Sequence, residues 1–295
     1  MTVSRIFSAV VGCAAAGLFL GILTGPAASM ADDERAAPER VVSMNLCADE
    51  LLLRLADPDQ IVSVTYLGQN PDQSTVADKA ARYPANHGLA EEILRLSPDL
   101  VVAGRYTTRT TVDFLRRVGE PVLELEVPTT LPEVEAQIRM LGDRLGQSER
   151  AEAMVAEIAG AFVGPATPDD DAPTAVVFAP NGFTVGAGSL VDTVIEAAGL
   201  RNLGAEQDLG RYRRLSLEQL ARLKPDVLIL NAEETSPALA YEVLHHPILD
   251  RLPKAPLVVS LSPRLWTCAG PALVDALALL RQAAETIETH RRAGQ

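Results

Sequence analysis

The 295-residue chain has few of the residues on which catalytic and metal sites usually depend. It contains three cysteines, four histidines and one tryptophan, and aromatic residues make up only 4% of it. The histidines (87, 245, 246 and 290) show no ligand spacing, and no pair of CxxC motifs occurs, which argues against a dedicated metal site. No GxxxxGK[ST] phosphate loop and no GxSxG elbow is found. We therefore predict no catalytic residue, no metal ligand and no resident cofactor.

Positive charge is also scarce. The chain has 26 basic and 39 acidic residues, a formal net charge of -13. A nucleic-acid-binding protein needs a basic surface, so this balance argues against a nucleic-acid partner. The excess of acid is typical of a soluble protein.

The N-terminus resembles a secretory signal peptide. Arg5 precedes a long apolar run, which Gly25-Pro26 breaks and which ends in small residues. This order predicts a cleavable signal peptide at 1–31, with cleavage after Ala31 or Ala28, and hence a periplasmic protein. A retained membrane anchor is the alternative.

Two cysteines remain once the signal peptide is removed. Cys13 lies within the apolar run, which continues after it, so we do not expect a lipid anchor there. Cys47 and Cys268 stay in the mature chain and can form one disulfide in an oxidising compartment, tethering the two halves of the protein. Metal ligation by two thiolates and two inert buried thiols stay open as alternatives.

Short apolar runs alternate with amphipathic helical segments along the rest of the chain, which predicts an α/β fold. We expect two lobes, each a mainly parallel sheet flanked by helices, joined by a single long helix. The N-terminal lobe is predicted at 38–145, the connecting helix and linker at 146–173, and the C-terminal lobe at 174–290. The glycine-rich PNGFTVGAGS segment is interpreted as a turn.

One phrase occurs twice. AEEILRLSPDLVV and SLEQLARLKPDVLIL both contain a helical pattern, a Pro-Asp pair and a run of Val, Leu and Ile. The proline disfavours continuation of the helix, so both phrases predict a helix-to-strand corner, one in each lobe. Glu91 and Glu218 stand seven residues before Pro98 and Pro225, and the corner does not require them. Acids are common in a first helical turn because of the helix dipole, which is the simpler explanation.

Ligands of open parallel sheets bind beyond the carboxyl ends of the strands. Aromatic rings and arginines are concentrated at these predicted positions, a combination that suits a large, partly flat, anionic ligand. The candidate ligand-binding residues are Cys47, Tyr66, Asn86, His87, Arg105, Tyr106, Phe183, Tyr212, Arg213, Trp266 and Cys268.

The segments RVVSMNLCADELLLRLA, IVSVTYL, GLAEEILRLSPDLVVAG, NGFTVGAGSLVDTVIEAAGLRNL and LSLEQLARLKPDVLIL resemble, in this order, the periplasmic binding proteins of ABC importers for ferric siderophores and cobalamin. The resemblance implies a bilobal fold with a rigid connecting helix at about Ser148–Phe162 and a shallow cleft between the lobes. It also implies that Glu91 and Glu218 contact a dimeric ABC permease in the inner membrane. We expect the receptor itself to be a monomer.

The resemblance leaves the ligand open. Cobalamin-binding members carry additional tryptophans where this chain has Asn86 and Gly104, and the predicted cleft is rich in arginine. We therefore expect a metal chelate, with a ferric siderophore first and cobalamin or haem as alternatives. A periplasmic enzyme that uses Cys47 or His87 is a more remote hypothesis.

Overall fold

In the computed structural model, which describes residues 36–164, 168–207, 210–231 and 239–294, strands and helices alternate as predicted. The strands are β1 (Val41–Ser43), β2 (Ile61–Thr65), β3 (Ala85–Asn86), β4 (Leu100–Gly104), β5 (Val122–Leu125), β6 (Thr174–Phe178), β7 (Phe183–Val185), β8 (Arg201–Asn202), β9 (Tyr212–Arg214), β10 (Val227–Asn231) and β11 (Leu257–Leu261). The helices are α1 (Leu46–Leu55), α2 (Ala77–Ala80), α3 (Ala90–Arg95), α4 (Arg109–Arg117), α5 (Leu131–Leu145), α6 (Ser148–Ala161), α7 (Leu190–Ala197), α8 (Leu203–Glu206), α9 (Leu217–Leu223) and α10 (Ala272–Ala293). Within these ranges no helix combines the length and the apolar character that crossing a bilayer requires. The predicted signal peptide at 1–31 lies outside the described residues.

The N-terminal lobe is built on a five-stranded parallel sheet with the order β3-β2-β1-β4-β5. The central strands β1 and β4 are buried along their whole length. Parallel strands covered on both faces read as continuous apolar runs, which explains why the Val-rich segments of the sequence identified them.

The C-terminal lobe contains a four-stranded parallel sheet with the order β11-β10-β6-β8. It also contains a two-stranded antiparallel ribbon of β7 and β9, which the sequence pattern did not predict. The prediction of a plain turn at PNGFTVGAGS was wrong because this segment includes β7, and the RYRR segment supplies β9. Strands of three residues are too short to show a period of two.

Helices α5 and α6 follow the N-terminal sheet and pack closely against each other. Gly142 allows the contact: a Cβ atom at this position would lie 2.3 Å from the Cβ of Ala151. Arg150, on α6, donates from its guanidinium to the Leu55 carbonyl at the end of α1 and to Asp57 at 2.7 Å. Gly146 separates the two helices: it caps α5 with a φ of 72°, and α6 begins at Ser148.

The two lobes share one hydrophobic core. Buried side chains of α1, α5 and α6 belong to the same cluster as those of β6, β10 and α10. A disulfide between Cys47 and Cys268 joins the first turn of α1 to the segment before α10. Of the three alternatives left open for these cysteines, the structure shows the first, a disulfide that links the two lobes.

Beside this junction, α1 carries a buried carboxyl group. Asp49 is 0% exposed, and its carboxylate accepts hydrogen bonds from the backbone N–H of Thr65, at 3.1 Å, and from the Thr65 hydroxyl. Burial raises the pKa of Asp49 to about 6, against the lowering effect of its hydrogen bonds from Ser43 and Thr65. This energetically costly carboxyl group lies at the end of β2, where the chain leaves the sheet.

Asp49 should make the stability of the protein fall as the pH rises. Its folded pKa of about 6 exceeds its ordinary value of 3.8. Between these pH values the folded state therefore binds more protons than the unfolded state. The destabilisation caused by burying the carboxylate is present in full above about pH 6 and is absent below about pH 4. Between pH 4 and 7.5, the free energy of unfolding of the wild type should fall by ~2 kcal/mol relative to that of Asp49→Asn. Urea titrations at both pH values measure this, and parallel pH profiles would contradict it.

The disulfide closes a loop of 221 residues and should stabilise the folded state. Replacing both partners, Cys47→Ser with Cys268→Ser, should lower the free energy of unfolding by about 2–4 kcal/mol, because the unfolded chain is no longer cross-linked. Urea denaturation with and without a thiol reductant provides the measurement. Reductant should destabilise the wild type and leave the double variant unchanged; equal sensitivity of the two proteins would contradict the assignment.

Candidate functional site

A cavity of about 290 Å³ lies between the two lobes, at the carboxyl ends of the N-terminal parallel strands. The N-terminal lobe contributes residues that follow β1, β4 and β5; the C-terminal lobe contributes α7, β9 and the segment after β11. This is the position at which open parallel sheets bind ligands. The lining residues are Asn45, Cys47, Gly104, Arg105, Tyr106, Leu125, Glu126, Val127, Pro128, Gln137, Leu190, Val191, Tyr212, Trp266, Thr267 and Ala269.

Five of the predicted ligand-binding residues line this cavity: Cys47, Arg105, Tyr106, Tyr212 and Trp266. Tyr106 and Tyr212 are 84% and 63% exposed and belong to opposite lobes, so both rings are accessible to a ligand. Trp266 is only 6% exposed, and it belongs to the shared core while contributing to the cavity wall.

A second pair of predicted residues forms its own aromatic surface. Tyr66 and His87 stack with their ring centroids 5.0 Å apart and an angle of 21° between the planes. The Nδ1 atom of His87 lies 3.3 Å from the Glu92 carboxylate, whose second oxygen accepts the His87 backbone N–H at 2.7 Å. Glu92 thus fixes the loop that carries His87. Neither ring is among the residues that line the cavity.

Asn86 is buried beside this surface. It is 1% exposed, and its amide nitrogen donates to the Ser43 carbonyl, the Ser63 hydroxyl and the Val64 carbonyl, each at 2.9 Å. The side chain therefore ties β3 to β1 and β2. Asn86, predicted as a ligand-binding residue, is thus held within the carboxyl edge of the sheet and is not among the residues that line the cavity.

The β7–β9 ribbon decides which of its side chains face the cavity. Phe183 pairs with Arg214, and Val185 pairs with Tyr212. Residues directly opposite each other in an antiparallel pair share a face, so Phe183 and Arg214 lie on the face of Tyr212. The Arg214 guanidinium lies 5.1 Å from the centroid of the Phe183 ring. Arg213 is on the other face, whereas Arg214 shares the face of Tyr212; neither arginine is among the residues that line the cavity.

The arginines that follow β4 are not free positive charges. Arg105 lies 2.5 Å from the Glu126 carboxylate, and Arg109 lies 2.9 Å from that of Glu124. Arg116 approaches Glu124 as well, at 3.2 Å. The sequence placed the arginines at this edge correctly, but the acids of the neighbouring strand compensate much of their charge.

The disulfide removes thiol chemistry from the site. Cys47 lines the cavity, but it is bonded to Cys268 and offers neither a nucleophile nor a thiolate ligand. Within the described ranges, no group of three or more His, Cys, Asp or Glu side chains is arranged to hold a metal ion.

Several lining residues were missed in the ligand-binding prediction. Asn45 caps α1, with its side-chain oxygen accepting the backbone N–H groups of Cys47 and Ala48. A Cβ atom on Gly104 would lie 2.7 Å from the Asn45 amide nitrogen, so this glycine leaves room for the cap. Asn45 was visible as the first polar residue after β1, whereas Gln137, Leu190 and Val191 lie on helices and gave no signal.

A groove of about 590 Å³ continues from the cavity and shares four of its lining residues. Acidic and apolar side chains of β5, α5 and the segment between them form most of its wall. Arg211 reaches it from the C-terminal lobe. The lining residues are Glu124, Glu126, Val127, Pro128, Thr129, Glu133, Ala136, Gln137, Met140 and Arg211.

Glu91 and Glu218 occupy the same position in their helices, the second residue of α3 and of α9. In both helices the residue after the glutamate accepts a backbone N–H from the segment that precedes the helix: Glu92 accepts that of His87, and Gln219 accepts that of the N-cap residue Ser216. Both glutamates are exposed. The Ser216 hydroxyl lowers the pKa of Glu218, so it is ionised at neutral pH.

This fold recurs in known proteins. A family model described as periplasmic binding protein matches residues 41–255. A cobalamin-binding protein of Halobacterium salinarum is 31% identical over 200 residues, 65% of this chain and 53% of the relative, so the chain spans about half the length of the curated relatives it matches.

Solved structures with a similar fold align with most of this chain. The periplasmic heme binding protein of Pseudomonas aeruginosa is 26% identical with a TM-score of 0.65, covering 84% of this chain and 92% of that one. The periplasmic vitamin B12 binding protein of Vibrio cholerae is 19% identical with a TM-score of 0.62, covering 85% and 98%. The match to the family model over residues 41–255, in a two-lobed α/β fold with a cavity between the lobes, shows that the chain belongs to the periplasmic binding protein family.

Proposed function

We propose that this protein is a monomeric periplasmic receptor that captures a metal chelate and delivers it to an ABC importer in the inner membrane. The observation that carries the proposal is the cavity between the lobes, to which each lobe contributes an exposed tyrosine, Tyr106 and Tyr212. Two aromatic faces on opposite walls suit a ligand with an extended flat surface. The bonded cysteines support binding without catalysis.

A corrinoid is the first candidate ligand. The cavity of about 290 Å³ is at the lower limit of ligand pockets, which measure ~300–1,000 Å³. A tetrapyrrole would therefore extend into the adjoining groove, past Gln137 and Val127. A corrinoid is placed first because the relative at 31% identity is a cobalamin-binding protein.

An anionic ferric chelate, such as a siderophore or haem, is the second candidate. Arg214 favours it, because this guanidinium lies on the face of the ribbon that carries Tyr212 and stacks on Phe183. Arginine held against an aromatic ring is preorganised to bind a carboxylate or another planar anion. The ion pairs of Arg105 and Arg109 weigh against it.

Glu91 and Glu218 are proposed as the residues that contact the permease. They hold the same helix position in the two lobes, they are exposed, and neither is needed to cap its helix. A pair of like charges, one from each lobe, is complementary to a permease dimer that presents one basic site per subunit.

The ligand class is tested by titrating the purified receptor with cyanocobalamin, hemin, a ferric hydroxamate and free Fe³⁺. Trp266 is the single tryptophan of the chain and lines the cavity, so a ligand that fills it should quench its fluorescence. We expect cyanocobalamin to bind with a Kd of about 1 µM or lower and to raise the melting temperature. Quenching by a ferric chelate alone would favour the second candidate, and no binding of any chelate would refute the receptor function.

The docking role is tested with the double variant Glu91→Ala/Glu218→Ala. Uptake of the bound chelate by cells that carry the cognate importer should fall at least tenfold, because the electrostatic contacts to both permease subunits are lost. The Kd for the chelate should stay within twofold. Glu149→Ala is the matched control, since Glu149 is an exposed acid at the same position of α6. A loss of ligand affinity in the double variant would place the two glutamates in the binding site and overturn the docking role.

A further inference from the structure

We propose that Glu126 sets the charge selectivity of the cavity by holding Arg105, so that a chelate without net negative charge is preferred and an anionic one is disfavoured. The proposal deepens the receptor function and rests on it. Among the described residues that line the cavity, Arg105 is the sole cation and Glu126 the sole anion, whereas Arg214 shares the ribbon face of Tyr212 without lining the cavity. The charge of the cavity wall itself therefore depends on this one pair.

The Arg105–Glu126 pair follows from how the strands of the sheet are paired, not only from the conformations of the two side chains. Gly104 and Leu125 are partners in the register of the parallel strands β4 and β5. Beyond this pair, the Arg105 backbone N–H donates to the Leu125 carbonyl at 2.9 Å. Arg105 and Glu126 are thus adjacent where the two strands enter the cavity, and the guanidinium lies 2.5 Å from the carboxylate. The carboxylate stabilises the charged form of the guanidinium, which raises the pKa of Arg105.

An anionic ligand meets two obstacles at this pair. First, the anion must displace the Glu126 carboxylate before it can contact Arg105. Second, the displaced carboxylate remains in the cavity wall and repels the anion. A ligand that is neutral and carries amide groups meets neither obstacle, because both side chains still offer hydrogen bonds. Arg109 and Arg116 do not compensate, since both contact Glu124 and neither lines the cavity.

The groove next to the cavity should disfavour anionic ligands in the same way. Glu126 belongs to both linings, and Glu124 and Glu133 add two further carboxylates, the latter with Arg211 near it. Arg105 and Glu126 are 55% and 66% exposed at their side chains, so water and salt weaken the pair. The effect of a single substitution should therefore be a few-fold, not orders of magnitude.

The test compares ligands that differ only in charge. Wild type, Glu126→Gln and Arg105→Gln are titrated with cyanocobalamin and with its monocarboxylate, in which one peripheral amide is hydrolysed; hemin is a third probe. Glu126→Gln should bind the monocarboxylate and hemin about fivefold more tightly than the wild type does and cyanocobalamin within twofold. Arg105→Gln should weaken both anions by a similar factor. High salt should reduce all of these differences.

Glu152→Gln is the matched control, because Glu152 is also an exposed glutamate paired with an arginine, Arg139, but it does not line the cavity. It should leave all three affinities unchanged. If Glu126→Gln leaves the anions unchanged, or tightens the neutral and anionic corrinoids equally, the selectivity proposal is overturned while the receptor function stands. If the wild type binds none of the probes, the proposed function fails first and the selectivity proposal fails with it.

Discussion

The contact between α1 and the segment before α10 is the constraint on which the rest of the site depends. Here the Cys47–Cys268 disulfide crosses between the lobes, and Arg264 donates to the Pro71 carbonyl at 2.6 Å. The core is continuous through the same region. Because a covalent bond and a shared core both join the lobes, opening the cavity by a large rotation would require breaking one or exposing the other. The cavity is therefore held close to the shape in which it would meet a ligand, which lowers the cost of ordering it on binding.

Local structure around the cavity is fixed by polar groups that a ligand never touches. Asn86 joins three strands with one amide group, and Asp49 holds Thr65 where the chain leaves β2. The next residue after Thr65 is Tyr66, whose ring stacks on His87. Buried hydrogen bonds of this kind are costly to break, so they determine a single orientation for the loops that carry exposed rings. Rigid loops on a sheet edge are a common way of building binding sites.

The charge of the cavity illustrates how composition and structure can diverge. An acidic chain with arginines at its strand ends suggests a receptor for anions, as the sequence pattern predicted. In the folded protein, Glu126, directly after β5, and Glu124, on β5, lie beside Arg105 and Arg109. Opposite charges brought to the same sheet edge pair with each other and so present less net charge to a ligand. The charge that remains accessible on the cavity side of the ribbon is Arg214, which stacks on a ring and lies 5.1 Å from its centroid.

The amino-acid sequence by itself determined the order of the long parallel strands and helices, the repeated helix-to-strand corner and the edge at which a ligand would bind, but not the β7–β9 ribbon. These follow from local physics: buried parallel strands are apolar throughout, proline ends helices, and strand ends bring polar residues to one side of a sheet. Only the tertiary structure decided that Asn86 is a buried clamp, that Arg214 and not Arg213 shares the face of Tyr212, and that the cysteines are bonded. Each of these depends on strand register or on a contact between segments far apart in the chain. A local sequence pattern specifies neither of them.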